Sequence, residues 1–190
     1  MPTNECGSFR RGRDNVGMPA AVTLETERLI LRPQQLSDAA VYRQLWTERD
    51  ERVPPHRKID AEGRPTEEDI AARIREEQKA PWPGLLTVER KGTAEVIGYC
   101  GLVAYGNGSK DEPELAFELL RAVHNHGYAT EASRAVITWA GEVGYRRLWA
   151  GVWDWNVASR RVLEKLGFHD TGRVSPETIH GRSLLTVREL

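Results

Sequence analysis

The chain has 190 residues, 39% of them hydrophobic and 29% charged, and a formal net charge of −1. That length suits one domain with a single core, and so small a charge gives no field to steer the chain onto nucleic acid or a membrane. Two cysteines, Cys6 and Cys100, exclude a disulfide framework; with no run of transmembrane length and no apolar signal segment, a cytoplasmic protein is the simplest expectation.

Residues 1–20 carry Gly, Asn, Arg and Pro with almost no apolar periodicity, and a disordered leader is expected there, leaving a single domain over 21–190. The cluster Arg10, Arg11 and Arg13 reads as a solvated tail, and Met18 is an alternative start. Val22 to Arg32 alternates as a strand does. Ser37 is placed to cap a helix through about Thr47, with Val41, Leu45 and Trp46 on one face. Arg52 to Gly63 is polar and Pro-containing, hence a loop. Thr66-Glu67-Glu68-Asp69 opens a second helix in the manner of a capping box, with Ile70 and Ile74 inward and Pro81 as its end. Leu85 to Glu89 and Glu95 to Ala104 read as strands joined at Lys91-Gly92, and Cys100 as core. Tyr105 to Pro113 is a turn, Leu115 to Leu120 a strand, Gly127 to Val143 a long helix and Leu148 to Val152 another strand. A helix from Asn156 to Leu166 stops at Gly167, and Leu184 to Val187 closes the chain after a His180-Gly181 turn. Strands that come in a run and then alternate with helices give a mixed α/β sheet with helices on both faces.

The most informative stretch is His124-Asn125-His126-Gly127-Tyr128-Ala129-Thr130-Glu131-Ala132. It follows an apolar strand and opens a helix. The first turn of a helix has unpaired N–H groups and partial positive charge, so it takes phosphate without a lysine. Gly127 lets a ligand come close to the backbone, and Ala129 and Thr130 keep the approach open. Neither the dinucleotide-binding nor the P-loop glycine pattern is present. The loop instead resembles the pyrophosphate signature of the GNAT acyltransferase superfamily, Arg/Gln-x-x-Gly-x-Gly/Ala, read here as His124-x-x-Gly127-x-Ala129. Gly-Tyr-Ala-Thr-Glu-Ala is similar to the ribosomal-protein N-acetyltransferase (RimJ/RimL-like) branch. So are Leu24 to Pro33, Val96 to Leu102 and Asn156 to Phe168, in the right order. His124 and Asn125 depart from that pattern, Asn125 standing where the branch has Gly; Asn tolerates a left-handed backbone better than most residues.

The resemblance implies a central, mostly antiparallel sheet of six to seven strands with helices on both faces, and acetyl-CoA as cosubstrate. It implies a gap between the strands at 114–120 and 147–152, where the pantetheine arm pairs with the edge around Leu119. Holding the pyrophosphate falls to His124, Asn125, His126, Gly127, Tyr128, Ala129 and Thr130, and holding the arm to Asn156, which is also a strong N-cap. Many members use a Tyr seven residues after that Asn as an acid; here the position is Leu163. Ser159, one turn from Asn156, is the local candidate to hydrogen-bond the leaving thiolate. Glu114 and Glu118 share one strand face, about 13 Å apart, and each is a candidate to take the proton of the amine. Two histidines two apart, His124 and His126, make a poor metal site, and none is expected. Trp153 and Trp155 line the core, the cofactor arm or a substrate wall.

The leading expectation is an acetyl-CoA-dependent N-acetyltransferase that joins acetyl to a primary amine by direct attack in a ternary complex, since no cysteine is placed for a ping-pong route. The branch points to a protein N-terminus; a small-molecule amine such as an antibiotic, polyamine or amino acid is the alternative, because fold does not decide substrate. The acceptor site is expected from residues 33–65 and the loops near 105–112 and 173–182. The departures at His124, Asn125 and Leu163 keep a non-catalytic acyl-CoA-binding module in view. Nucleic-acid binding would rest on the basic leader alone, no membrane partner is implied, and a homodimer is compatible with the chain.

Overall fold

The computed structural model describes residues 22–79, 84–104, 106 and 108–190; the leader expected over 1–20 and the stop at Pro81 lie outside them. One eight-stranded sheet organises these residues, in the order β1-β2-β3-β4-β5-β6-β8-β7. Its strands are β1 (Leu24–Glu25), β2 (Leu29–Pro33), β3 (Leu85–Arg90), β4 (Val96–Val103), β5 (Glu114–Leu119), β6 (Arg147–Trp153), β7 (His169–Val174) and β8 (Ser183–Glu189). Neighbours are antiparallel except β5 and β6. The helices are α1 (Ala39–Glu48), α2 (Glu67–Glu77), α3 (Tyr128–Glu142) and α4 (Val157–Lys165).

Alternation fixes which residues face which layer. Cys100 on β4 meets Ser133 of α3 at 3.5 Å, so α3 covers that face of the sheet. Tyr99, the next residue on β4, packs edge to face against Tyr42 of α1 with ring centroids 5.6 Å apart, so α1 covers the other. The core runs through both layers, from Leu29, Leu31 and Val88 to Val136, Leu148 and Leu163. Ile70 and Ile74 are buried as their spacing required. The Thr66 hydroxyl accepts from Asp69 N–H at 3.1 Å while the Asp69 carboxylate accepts from Thr66 N–H at 2.8 Å, the reciprocal pair that satisfies two orphan donors at the start of α2.

Several boundaries differ from expectation for visible reasons. The first strand is two pieces, because Thr26 turns the chain: its N–H reaches the Leu29 carbonyl and its hydroxyl accepts from Leu29 N–H at 2.9 Å. Ser37 does not cap α1. It sits inside a 3₁₀ turn, Leu36–Asp38, and Asp38 is the residue before the helix. On α1, Tyr42 is buried beside Leu45 while Val41 is only half-buried, because the Tyr42 hydroxyl has a buried partner in Thr87, 2.8 Å away. The sheet exceeds the six to seven strands expected, and β7 is one that was not foreseen: it has no apolar alternation, is almost wholly exposed and joins the edge of the sheet through backbone pairing with β8.

Candidate active site

The parallel pair is where the sheet opens. β5 and β6 share one bridge, Glu114 with Trp149, and Trp149 N–H donates to the Pro113 carbonyl at 2.9 Å. The next donor on that edge is Gly151 N–H, which in a continuing parallel ladder would go to Leu115. It goes instead to the Glu114 carboxylate, Oε1, at 3.1 Å. The side chain thus takes the donor that would have zipped the strands further, and β5 and β6 diverge from that point.

Backbone direction says what the gap presents. Leu120 N–H reaches across to Ile97 of β4, so the N–H and C=O of Leu119 face the opposite way, into the gap, and with them those of Phe117 and Leu115. The Leu119 carbonyl has a partner already: the His124 ring, Nε2, lies 2.9 Å from it. His126 Nδ1 lies 2.8 Å from the His124 carbonyl, and the His126 ring stacks on Tyr128. Among the described residues no cluster of three metal-binding side chains forms.

At the mouth of the gap sits the N-terminus of α3. Asn125 has φ +65°, the left-handed conformation that a glycine at this position would adopt freely. Gly127 precedes the helix with φ +82° and no side chain caps it. The first α3 bond runs from Glu131 N–H to the Gly127 carbonyl, so the N–H groups of Tyr128, Ala129 and Thr130 precede the ladder and remain available to an anion. Glu131 faces away from that surface and staples the helix to the first strands. It accepts from the Thr26 hydroxyl at 2.5 Å, from Arg28 N–H at 2.9 Å and from Arg28 Nε at 2.7 Å. Arg28 in turn donates to the His126 carbonyl and lies over the Tyr128 ring, holding the loop from behind.

The other lip of the gap leads into α4. Asn156 is its N-cap, Oδ1 accepting from Ser159 N–H at 3.1 Å. Ser159 shares an inward stripe with Leu163 and Leu166, both buried, and its hydroxyl has no hydrogen-bond partner among the described residues. Leu163 is core, so that helix position presents nothing to the gap.

The α1 side of the sheet holds residues that sequence reasoning missed. Glu118 is gripped by Arg49 in a fork, Nε to Oε1 at 2.8 Å and Nη2 to Oε2 at 2.5 Å, and Oε2 also accepts from the Tyr99 hydroxyl at 2.7 Å. Trp153 and Trp155 stack with their planes 8° apart. Arg52 lies over Trp155, whose Nε1 donates to the His180 carbonyl at 2.8 Å, and His180 Nδ1 lies 3.0 Å from the Arg52 carbonyl. Three segments distant in sequence thereby make one wall on the half-exposed end of β6. No local pattern signals Arg49, Arg52, Tyr99 or His180, because each acts through a partner far along the chain.

A sheet split at its parallel pair, with an uncapped helix N-terminus at the mouth of the split, is the architecture of an acyl-CoA-dependent transferase. The chain belongs to the GNAT acetyltransferase family: the acetyltransferase (GNAT) domain matches residues 28–169. It is 30% identical over 154 residues to the uncharacterized N-acetyltransferase p20 of Bacillus licheniformis, covering 79% of this chain and 84% of that one. The fold is shared with a GNAT-family acetyltransferase from Bacillus anthracis (TM-score 0.73, 21% identity, 88% and 98% of the two chains). It is also shared with yncA, a putative acetyltransferase from Salmonella typhimurium solved with its cofactor acetyl-CoA (TM-score 0.66, 20% identity, 85% and 94%). The chain is therefore an acetyltransferase, and acetyl-CoA is its cosubstrate. Among the described residues no helix is long and apolar enough to cross a membrane.

Proposed function

We propose that this chain acetylates a primary amine by direct attack of the amine on acetyl-CoA, and that the acceptor is a protein or peptide N-terminus. The observation that carries the reading is the meeting of two features: the uncapped N–H groups at 128–130 at one end of the gap and the Glu114 carboxylate at its apex. The backbone of 125–130 holds the pyrophosphate. The gap-facing groups of Phe117 and Leu119 lie along the arm, and the Asn156 amide nitrogen, whose oxygen is spent on the cap, reaches it from α4. Bound acetyl-CoA supplies a thioester, which exchanges its C–S bond for the new C–N bond.

Glu114 accepts the ammonium proton, directly or through one water. Glu118 is the weaker candidate, because both its oxygens already accept from Arg49 or Tyr99. The Ser159 hydroxyl hydrogen-bonds the departing sulfur; an unperturbed hydroxyl is a poor acid, so its help is solvation more than protonation. Similarity of the 127–132 segment to the ribosomal-protein branch favours a protein N-terminus, and the wall of Trp153, Trp155, Arg52 and His180 is where such an acceptor would lie.

Thiol release from acetyl-CoA, followed with a thiol-reactive dye across N-terminal peptides, polyamines, aminoglycosides and amino acids, tests the reading. Turnover with peptides supports it. Turnover confined to small amines replaces the acceptor, and no acetyl-CoA binding sinks the assignment of the 124–130 loop. The loop is tested separately by Asn125→Asp, which fits the left-handed conformation but adds a negative charge. One unit charge ~8 Å from a phosphate, at an effective dielectric near ~20, opposes binding by about 2 kcal/mol, roughly thirtyfold in Kd. The expected loss shrinks with added salt, and Asn125→Gly should leave Kd nearly unchanged; calorimetry with acetyl-CoA reads both.

A further inference from the structure

The Arg49–Glu118 pair is not where a surface ion pair would be. The Arg49 side chain is 8% exposed and that of Glu118 24%. Arg49 also reaches a third group: Nη1 donates to the Arg57 carbonyl at 2.7 Å, and the guanidinium lies over the Trp46 ring, 4.3 Å from its centroid. One side chain at the end of α1 thus holds both the strand that lines the gap and the loop of residues 50–58 on the acceptor side. A second tie secures that loop, Lys58 Nζ to the Glu51 carbonyl at 2.8 Å. Glu118 lies between Phe117 and Leu119, whose backbone groups face the gap. A shift of Glu118 therefore moves the edge against which the cosubstrate lies.

We propose that Arg49 and Glu118 form a positioning pair that fixes the acceptor-side loop of residues 50–58 to β5, and that Glu118 serves this pair and is not the proton acceptor. The geometry favours this over a base. Arg is planar and matches a carboxylate with two parallel bonds, both present here, and Tyr99 supplies a third donor. Proton abstraction by Glu118 would neutralise the carboxylate and weaken that charge-assisted set in each turnover. The Arg57 carbonyl bond shows where the constraint is delivered: the 3₁₀ turn Pro55–Arg57.

The inference rests on the acetyltransferase reading only for its turnover arm. Hydrogen exchange of the amides at 51–58 should be measured in the full chain for wild type, Arg49→Gln, Arg49→Lys, Glu118→Gln and the double variant Arg49→Gln/Glu118→Gln. Each single Gln variant leaves one charge, the buried Arg49 or the half-buried Glu118, without its ionic partner; the double variant leaves two neutral groups able to bond each other. Exchange is expected to rise at least tenfold in each single Gln variant and to return most of the way in the double variant. Arg49→Lys, which keeps the charge but cannot reach both Glu118 oxygens and Arg57 together, is expected to be intermediate; it reports even if a Gln variant fails to fold. Unchanged exchange in Arg49→Lys and the folded single variants overturns the positioning role.

In the turnover arm, with acetyl-CoA and glycinamide, spermidine and an Ala-initiated hexapeptide as probes, acceptor KM should rise about tenfold in the single variants. The double variant should recover it with the wild-type dependence of kcat/KM on pH. A double variant with a protected loop but no turnover would make Glu118 the base and overturn the second half of the proposal. Failure of the wild type with all probes counts against the acceptor reading, while exchange still decides the pair.

Discussion

Asp38→Ala is expected to cost about 3–5 kcal/mol of folding stability, the range for breaking a buried ion pair from one side. Asp38 is 2% exposed, yet it is the hub of four hydrogen bonds. Arg32 grips it with Nη1 and Nη2, each at 2.9 Å; Gln35 N–H donates at 2.8 Å and the Thr87 hydroxyl at 2.7 Å. Thr87 gives its single proton to Asp38, so Tyr42 must be the donor in its 2.8 Å bond to Thr87. The alanine variant leaves a buried hydroxyl chain without its acceptor and Arg32 with Glu89, 2.8 Å from Nε, and the Pro33 carbonyl, 3.2 Å from Nη1. Asp38→Asn keeps the shape and part of the bonding, and a smaller loss, about 1–2 kcal/mol, is expected. Urea midpoints at constant slope measure both; an alanine variant within about 1 kcal/mol of wild type would show that the network contributes little. The same network sets a pH dependence. Burial works to raise the Asp38 pKa, and the bonds from Arg32, Gln35 and Thr87 outweigh it, so the carboxyl titrates below its ordinary value. Stability from a depressed carboxyl is present above the unfolded pKa, near ~3.9, and is lost as pH falls through the folded value. Wild type should therefore lose stability into acid more steeply than Asp38→Asn.

Much of this fold was legible because it follows from local periodicity. The helical stripe at Ile70 and Ile74, the capping pair Thr66 and Asp69, the buried strand residue Cys100 and the cap at Asn156 all stand where spacing put them. The loop at 124–130 was legible because a strand end, a glycine and a helix start fall within a few residues. β7 was not, since an exposed edge strand pairs through its backbone and needs no apolar alternation. The parts of the site that escaped are long-range. Arg49 and Glu118 are 69 positions apart, Arg52 and His180 are 128 apart, and Glu131 meets Arg28 across 103. A charge pattern shows that such residues exist, not which of them meet. That difference decided the reading of the two strand glutamates: identical by alternation, they diverge once Glu118 is seen in the grip of Arg49 and Glu114 at the apex of the gap.

The proposed mechanism gives Glu114 two roles that substitution can separate. As wedge, it needs only an acceptor oxygen for Gly151 N–H; as base, it needs a carboxylate. Glu114→Gln keeps the oxygen and loses the basicity, so acetyl-CoA affinity should hold within about twofold while kcat falls some 10²–10⁴-fold, the range for general-base groups. Glu114→Ala loses both. Gly151 N–H is then left to find the Leu115 carbonyl, one step further along the parallel ladder. Strands that pair stand about 4.8 Å apart, too close to admit a pantetheine chain between them. Acetyl-CoA affinity should therefore fall in Glu114→Ala. Calorimetry with acetyl-CoA separates the variants without an acceptor, and thiol release with one completes the comparison. A Gln variant with wild-type kcat would send the proton by another route, and an Ala variant with unchanged affinity would show that the strands stay apart for a reason other than the Glu114–Gly151 bond. The two results are independent, because one concerns the charge on the side chain and the other only its reach.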